Sequence, residues 1–179
     1  MTDAPVLTTA RLRLRGHSRS DLDRLCDLMG SDHARFMGGP VPRKDAWRWL
    51  ASEVAMWNLM GHGAWGIETS DGRFIGQVGL VQPPHFPEVE IGWMLLPEAE
   101  GKGYAFDAAS AARDWAWDQG FETLVSYITP ENTRSRALAD RLGATPDPDA
   151  PLPDGETAKE IIVYRHSPDD SDGSPEAYA

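Results

Sequence analysis

The stretch VEIGWMLLPEAEGKGYAFDAA, residues 89–109, decides the fold. It begins as an alternation. Val89, Ile91, Trp93 and Leu95 share one face of an extended segment, and Glu88, Glu90, Gly92 and Met94 share the other. Pro97 ends the alternation, Gly101 and Gly103 flank Lys102, and an alanine-rich helix is expected from about Tyr104 to Gln119, stopped by Gly120. A strand running through a glycine turn into a helix is a phosphate-binding geometry. The first helical turn leaves N–H groups without partners, the aligned peptide dipoles add partial positive charge, and glycine lets an anion come close. The turn matches neither the Walker pattern nor the dinucleotide fingerprint. Taken alone, a plain helix-entry turn explains it as well as a cradle of amides does.

Working outward, LVSYI at 124–128 is a short apolar run typical of a buried strand. The unit over 88–128 is then strand–helix–strand, which implies one parallel crossover. Upstream, AWGIE and RFIGQVGLV read as strands joined by a tight turn at SDG, residues 70–72, and QPPHFPE is a longer link into the strand at 88. RLRLR at 11–15 alternates like a half-buried strand. Ser20 with Asp23 reads as an N-cap for a helix carrying Leu22, Leu25 and Met29. After the break at MGGPVPRK, Trp47, Leu50, Val54 and Trp57 suggest one face of a second helix, ended by Gly61 and Gly63. Downstream of TPEN, Leu138 and Leu142 lie on a helix closed by Gly143, ATPDPDAPLPDGE is a loop, and EIIVYRH is a last strand. The order predicts an α+β (mixed α/β) domain over residues 1–166, with antiparallel hairpins and one parallel pair. Residues 167–179 are a polar, acidic tail, expected to be disordered.

Composition limits the function classes. The chain has 179 residues, 41% hydrophobic, which suits one domain with a real core. A net charge of −11 argues against nucleic acid as the main partner. Acidity suits cationic amine substrates, although solubility is the commoner reason for it. No apolar run reaches membrane-spanning length, and the N-terminal stretch has no apolar signal core, so a cytoplasmic protein is expected. Cys26 is the lone cysteine, and the five histidines show no metal-ligand spacing, so no disulfide and no metal are expected.

Two motifs in order resemble the GNAT superfamily of N-acetyltransferases, and most of all its RimJ/RimL-like branch. The first is Glu100-Gly101-Lys102-Gly103-Tyr104-Ala105 at the strand-to-helix junction. The second is Asn132, Ser135 and the helix end Leu142-Gly143. LTTARLRLR and VYRH at the two ends are similar too, so the resemblance spans roughly residues 6–166. It implies acetyl-CoA as co-substrate and a splayed, mostly antiparallel sheet flanked by helices. By resemblance, the amides of 101–105 hold the CoA pyrophosphate. The backbone of Met94, Leu95 and Leu96 pairs with the pantetheine arm, and Asn132 and Ser135 flank it. The sequence departs from the family pattern in three places: Glu100 stands where glutamine or arginine is usual, Ala139 where many relatives have a tyrosine acid, and Ala144 where phenylalanine is frequent.

The implied reaction moves an acetyl group to a primary amine, which must first lose a proton. Glu90 is the leading base, with Glu88 and His85 behind it. Ser135 is a candidate proton relay to the leaving thiolate. Trp47, Trp57 and Trp65 are expected in the core, and FMGGPVP at 36–42 beside the acceptor. The acceptor is left open among a protein N-terminus, a polyamine, an amino acid and an aminoglycoside. A homodimer is compatible with this fold. The alternative is a catalytically silent CoA-binding or partner-binding module, motivated by Glu100 and Ala139.

Overall fold

Leu12 and Leu14 are buried while Arg13 faces solvent, the two-residue period of a half-covered strand. The same logic repeats along the chain of this computed structural model, which describes residues 3–168. Strands β1 (Leu7–Thr8), β2 (Leu12–Arg15), β3 (Ala64–Thr69), β4 (Phe74–Val81), β5 (Glu90–Leu95), β6 (Leu124–Ile128), β7 (Thr145–Pro146) and β8 (Ile162–His166) form one sheet in the order 1-2-3-4-5-6-8-7. Every neighbouring pair is antiparallel except β5 with β6. The helices are α1 (Leu22–Met29), α2 (Arg43–Met60), α3 (Tyr104–Asp118) and α4 (Thr133–Arg141). The expected order of elements holds, with two short edge strands added. Among the described residues no helix is long and apolar enough to cross a membrane. The tail reading from residue 169 onward lies outside the described residues.

One face of the sheet carries α3. Ala108, Ala109, Ala112 and Ala116 are fully buried against Val78, Leu80, Ile91 and Leu95, because methyl side chains let the helix sit close to the strands. The other face carries α1 and α2, which enclose Met94 and Leu96 with Leu25, Met29, Ala46 and Leu50.

Three sequence expectations need correction. The buried stripe of α2 is Ala46, Leu50, Glu53, Met56 and Trp57, not the stripe through Trp47 and Val54. Trp47 is 53% exposed, whereas Trp57 and Trp65 are core, stacked edge-on at 4.6 Å. The serine-to-aspartate cap lies two residues earlier than expected. Asp21 accepts the Ser18 N–H at 2.9 Å and also the guanidinium of Arg15, which anchors a short 3-10 turn before α1. Finally, β5 starts at Glu90, because Glu88 turns aside to Arg165 in a two-pronged ion pair at 2.8 and 2.9 Å. That pairing removes Glu88 from the bases considered.

Candidate active site

The sheet comes apart between β5 and β6. They share one registered pair, Glu90 with Val125, and the Val125 N–H donates to the Val89 carbonyl at 3.0 Å. Beyond it the next ladder bond is missing, and two side chains satisfy the stranded groups. Ser126 Oγ donates to the Ile91 carbonyl at 2.7 Å, and the Glu90 carboxylate accepts the Tyr127 N–H at 3.3 Å. His166 then donates its Nε2 proton to Ser126 Oγ at 3.0 Å. Burial lowers the His166 pKa to about 4, so the ring is neutral.

Backbone pairing shows which groups face the opening. The Leu96 N–H donates to the Ile75 carbonyl at 2.8 Å, and ladder bonds alternate, so Met94 and Leu96 are engaged by β4. The groups turned toward the gap belong to Trp93 and Leu95. This moves the expected backbone contact of Met94 and Leu96 onto their odd-numbered neighbours.

Two clefts open from this gap. The glycine-turn cleft, about 470 Å³, lies over the start of α3. Gly101 and Gly103 both take positive φ, 71° and 78°, which side chains with a Cβ rarely adopt, and they turn the chain into the helix. Arg11 braces this turn by donating to the Lys102 carbonyl at 2.9 Å and to Asp107 at 2.8 Å. Gly101, Gly103, Tyr104 and Ala105 line the cleft. Lys102 spends its ammonium on the Glu98 carbonyl at 2.8 Å. Arg35, Arg134 and Arg141 supply positive charge. Glu100 is neutralised by Arg134 at 2.5 Å and approached by His33 at 2.9 Å.

The carboxylate cleft, about 370 Å³, lies under α2. Its floor is bare because Gly79 and Gly92 face each other across β4 and β5. Glu90 stands beside that floor, where desolvation raises its carboxyl to about 7 despite the Tyr127 N–H. Glu53 comes down from α2. Its burial raises it to about 8, Gln77 opposes the shift by donating a hydrogen bond, and Glu90 adds to it. Gln77 Oε1 is buried with no partner among the described residues, and Tyr127 lines the same cleft. His85 lines the rim with its ring against Phe86 at 4.6 Å.

The clefts meet at six shared residues: Phe36, Met37, Trp93, Met94, Asn132 and Ser135. Asn132 caps α4 by accepting the Ser135 N–H at 3.2 Å, which aims the first turn of α4 at the gap. Phe36 and Met37 come from the segment expected beside the acceptor. Ala139 is fully buried and packs with Ile128, Ala144 and Tyr164, so the position of the missing tyrosine is closed core.

The Acetyltransferase (GNAT) domain family matches residues 11–145 of this chain. The chain belongs to the GNAT acetyltransferase family. The crystal structure of an acetyltransferase from Agrobacterium tumefaciens str. C58 is 41% identical. It covers 91% of this chain and 94% of that one at a TM-score of 0.85. The Bacillus subtilis protein YkkB is 28% identical over 148 residues, 76% of this chain and 83% of its own length. RimL, a ribosomal L7/L12 α-N-protein acetyltransferase solved with coenzyme A, shares the fold. Its identity is 16% and its TM-score 0.74, covering 94% of this chain and all of RimL.

As a GNAT acetyltransferase the chain is an enzyme that draws on acetyl-CoA, and among the described residues no cluster of His, Cys, Asp and Glu is arranged to hold a metal. Sequence reasoning misses Glu53, Gln77 and Tyr127. The signal for Glu53 is a carboxylate at a core position of α2, visible once the helix is phased on Ala46 and Leu50. Gln77 and Tyr127 carry no local signal, because only the register of the sheet brings them to the cleft.

Proposed function

We propose that this enzyme transfers the acetyl group to a primary amine by direct attack, with acetyl-CoA in the glycine-turn cleft and the amine in the carboxylate cleft. One observation carries the reading: the two clefts meet at an unpaired strand edge, and Glu90 stands on the acceptor side of that junction. The cofactor suits the residues present. Amides of 101–105 at the start of α3 with Arg35 and Arg141 match pyrophosphate and phosphate charge, and the carboxylate of Glu100 is already paired with Arg134. The open groups of Trp93 and Leu95 suit an amide-bearing arm that adds like a strand, with Asn132 and Ser135 across from it.

Acetyl-CoA supplies an acetyl thioester; the chain's own groups do the rest. An alkylammonium has a pKa near 10, so it must give up a proton before it can attack. Glu90, with its pKa raised to about 7, takes that proton. The N–C bond forms, the C–S bond breaks, and the products are the amide, the thiol and one released proton. Strand N–H groups of Trp93 or Leu95 face the developing negative charge on the acyl oxygen. Ser135 donates to the leaving sulfur, a role that buried Ala139 cannot fill. A cytoplasmic setting belongs to the same proposal and is supported by the lone Cys26, which leaves no internal disulfide to form in an oxidising compartment.

Thiol release from acetyl-CoA, followed with a broad panel of primary amines, tests this. Amine-dependent release with matching amide formation is the expected result. Binding of CoA with no release for any amine would leave the silent-module alternative standing.

A further inference from the structure

The two clefts carry opposite charge. The glycine-turn cleft has Arg35, Arg134 and Arg141 against one carboxylate, Glu100, which Arg134 pairs. The carboxylate cleft is lined by Glu53, Glu90, Asp154 and Glu156, and among the described residues by no lysine or arginine. Asp154 and Glu156 are exposed at its rim, on the loop between β7 and β8. The Asp154 N–H holds that loop to the His85 carbonyl at 2.9 Å, so the rim is tied to the link between β4 and β5. Arg165 is engaged with Glu88 and Asp147, and it does not line the cleft.

A second feature points the same way. Gln77 is 5% exposed, lines the cleft, and gives its amide N–H to Glu53. Its Oε1 is left buried without a partner among the described residues. An orphaned acceptor in such a site is satisfied by a donor that arrives with the ligand. Ammonium groups donate three hydrogen bonds and accept none. Phe36, Trp49, Phe86 and Trp93 wall the space, and aromatic faces favour alkylammonium over anions.

We propose that the acceptor is a small di- or polyamine without a carboxylate, its inner end met by Glu53, Gln77 and Glu90 and its outer ammonium by Asp154 and Glu156. This rests on the acetyl-transfer reading and narrows it. An acceptor amino acid would bring its own carboxylate into a cleft with four acidic side chains and no cation to pair with it. The volume of about 370 Å³ holds such an amine and is at the small end for ligand sites. The raised pKa values of Glu53 and Glu90 fit the same picture, since an entering ammonium returns both carboxyls to the charged form.

The test compares kcat/KM for α,ω-diaminoalkanes, n-alkyl monoamines and ω-amino acids of equal length, with a neutral peptide N-terminus alongside. The best diamine is expected to exceed its monoamine by about tenfold or more, and the ω-amino acid to fall below the monoamine. Tenfold is what about 1.4 kcal/mol of rim attraction gives. The exposed double variant Asp154→Asn, Glu156→Gln is expected to bring the diamine-to-monoamine ratio near one through KM. Equal rates across the series, a preferred ω-amino acid or peptide, or an unchanged ratio in the variant would overturn the assignment. Calorimetric titration of the diamine into the protein without acetyl-CoA separates the two readings. Diamine binding that the double variant weakens, with no transfer to any amine, sinks acetyl transfer and keeps the cationic site. Transfer without diamine preference does the reverse.

Discussion

The Glu90 carboxylate accepts the Tyr127 backbone N–H at 3.3 Å, at the point where β5 and β6 part. A regular parallel ladder would send that N–H to a backbone carbonyl. Here the side chain takes the bond and Ser126 Oγ takes the Ile91 carbonyl, so the fork carries no stranded ladder group at this rung. The carboxylate therefore has two duties, closing the ladder and facing the carboxylate cleft. On the proposed reading, a base tied to the main chain of the neighbouring strand is also held in place relative to the open edge.

The cofactor assignment is tested first at Gly103, whose φ is 78°. Acetyl-CoA and CoA are expected to raise the Tm of the parent, and ATP much less, because they bind only the folded state. Gly103→Val puts a branched side chain where the backbone is left-handed and where an anion must approach. The apo Tm is expected to drop by a few degrees and the CoA-induced shift to vanish. An undiminished shift would remove the glycine turn from the binding site.

Gly92 tests the acceptor cleft without disturbing the fold. The three atoms nearest to a Cβ built there all belong to the Glu90 carboxyl, the closest at 3.7 Å, which is ordinary contact. Gly92→Ala is therefore expected to keep the parental Tm within a degree or two and to leave CoA binding intact. The added methyl lies on the bare floor beside Glu90, so acceptor KM should rise by about tenfold, the order of one misplaced methyl group in a fitted site. Unchanged acceptor kinetics would mean that the amine does not pass over this floor.

Much of this was legible from residue patterns and some was not. The alternation in β5 and the glycine turn locate the parallel crossover, because both signals are local. The stripe of α2 is misread because Trp47 and Val54 sit at helical spacing from Leu50 and Trp57 while pointing outward. Periodicity cannot tell two neighbouring phases apart when both contain apolar residues. The facing pair Gly79 and Gly92 exists only once β4 and β5 are in register, and Asp154 reaches the cleft only through a loop bond to His85. These are consequences of tertiary pairing, which leaves no mark on the spacing of residues along the chain.

Glu53 ties stability to pH. Its ordinary value is 4.5 and burial lifts it to about 8, so between those values the native state holds a proton that the unfolded chain has lost. Stability therefore falls as pH rises across that window and levels off above it. Glu90 adds the same sign up to about 7. His166, lowered from 6.5 to about 4, opposes them below 6.5, because there the unfolded chain carries the extra proton. The interval from pH 6.5 to 8 is the cleanest. Over it Glu53 contributes at most about 2 kcal/mol, a Tm fall of about 4–8 °C. Glu53→Gln is expected to flatten this slope and to gain more over the parent at pH 8 than at pH 5. Parallel Tm profiles for the two proteins would show that Glu53 is charged at neutral pH.

The last expectation concerns Glu90 itself. Glu90→Gln keeps the shape and can still accept the Tyr127 N–H through its amide oxygen, so the fork should persist and the Tm should hold or rise. The amide cannot take a proton, so kcat is expected to fall by about 10²–10⁴-fold, the usual range for general-base loss. Acetyl-CoA affinity should barely move, since the cofactor is assigned to the other cleft. In the parent, kcat/KM should rise with pH on a limb set near the Glu90 value of about 7. In the variant that limb should move upward toward the pKa of the free amine, with partial rescue at high pH. Ser135→Ala is the companion: a donor is lost, not a base, so the loss should be smaller and should not recover at high pH. Near-parental kcat in Glu90→Gln would pass the proton to another acceptor of the cleft, and Glu53→Gln, His85→Ala and the double variant with Glu90→Gln would then decide which.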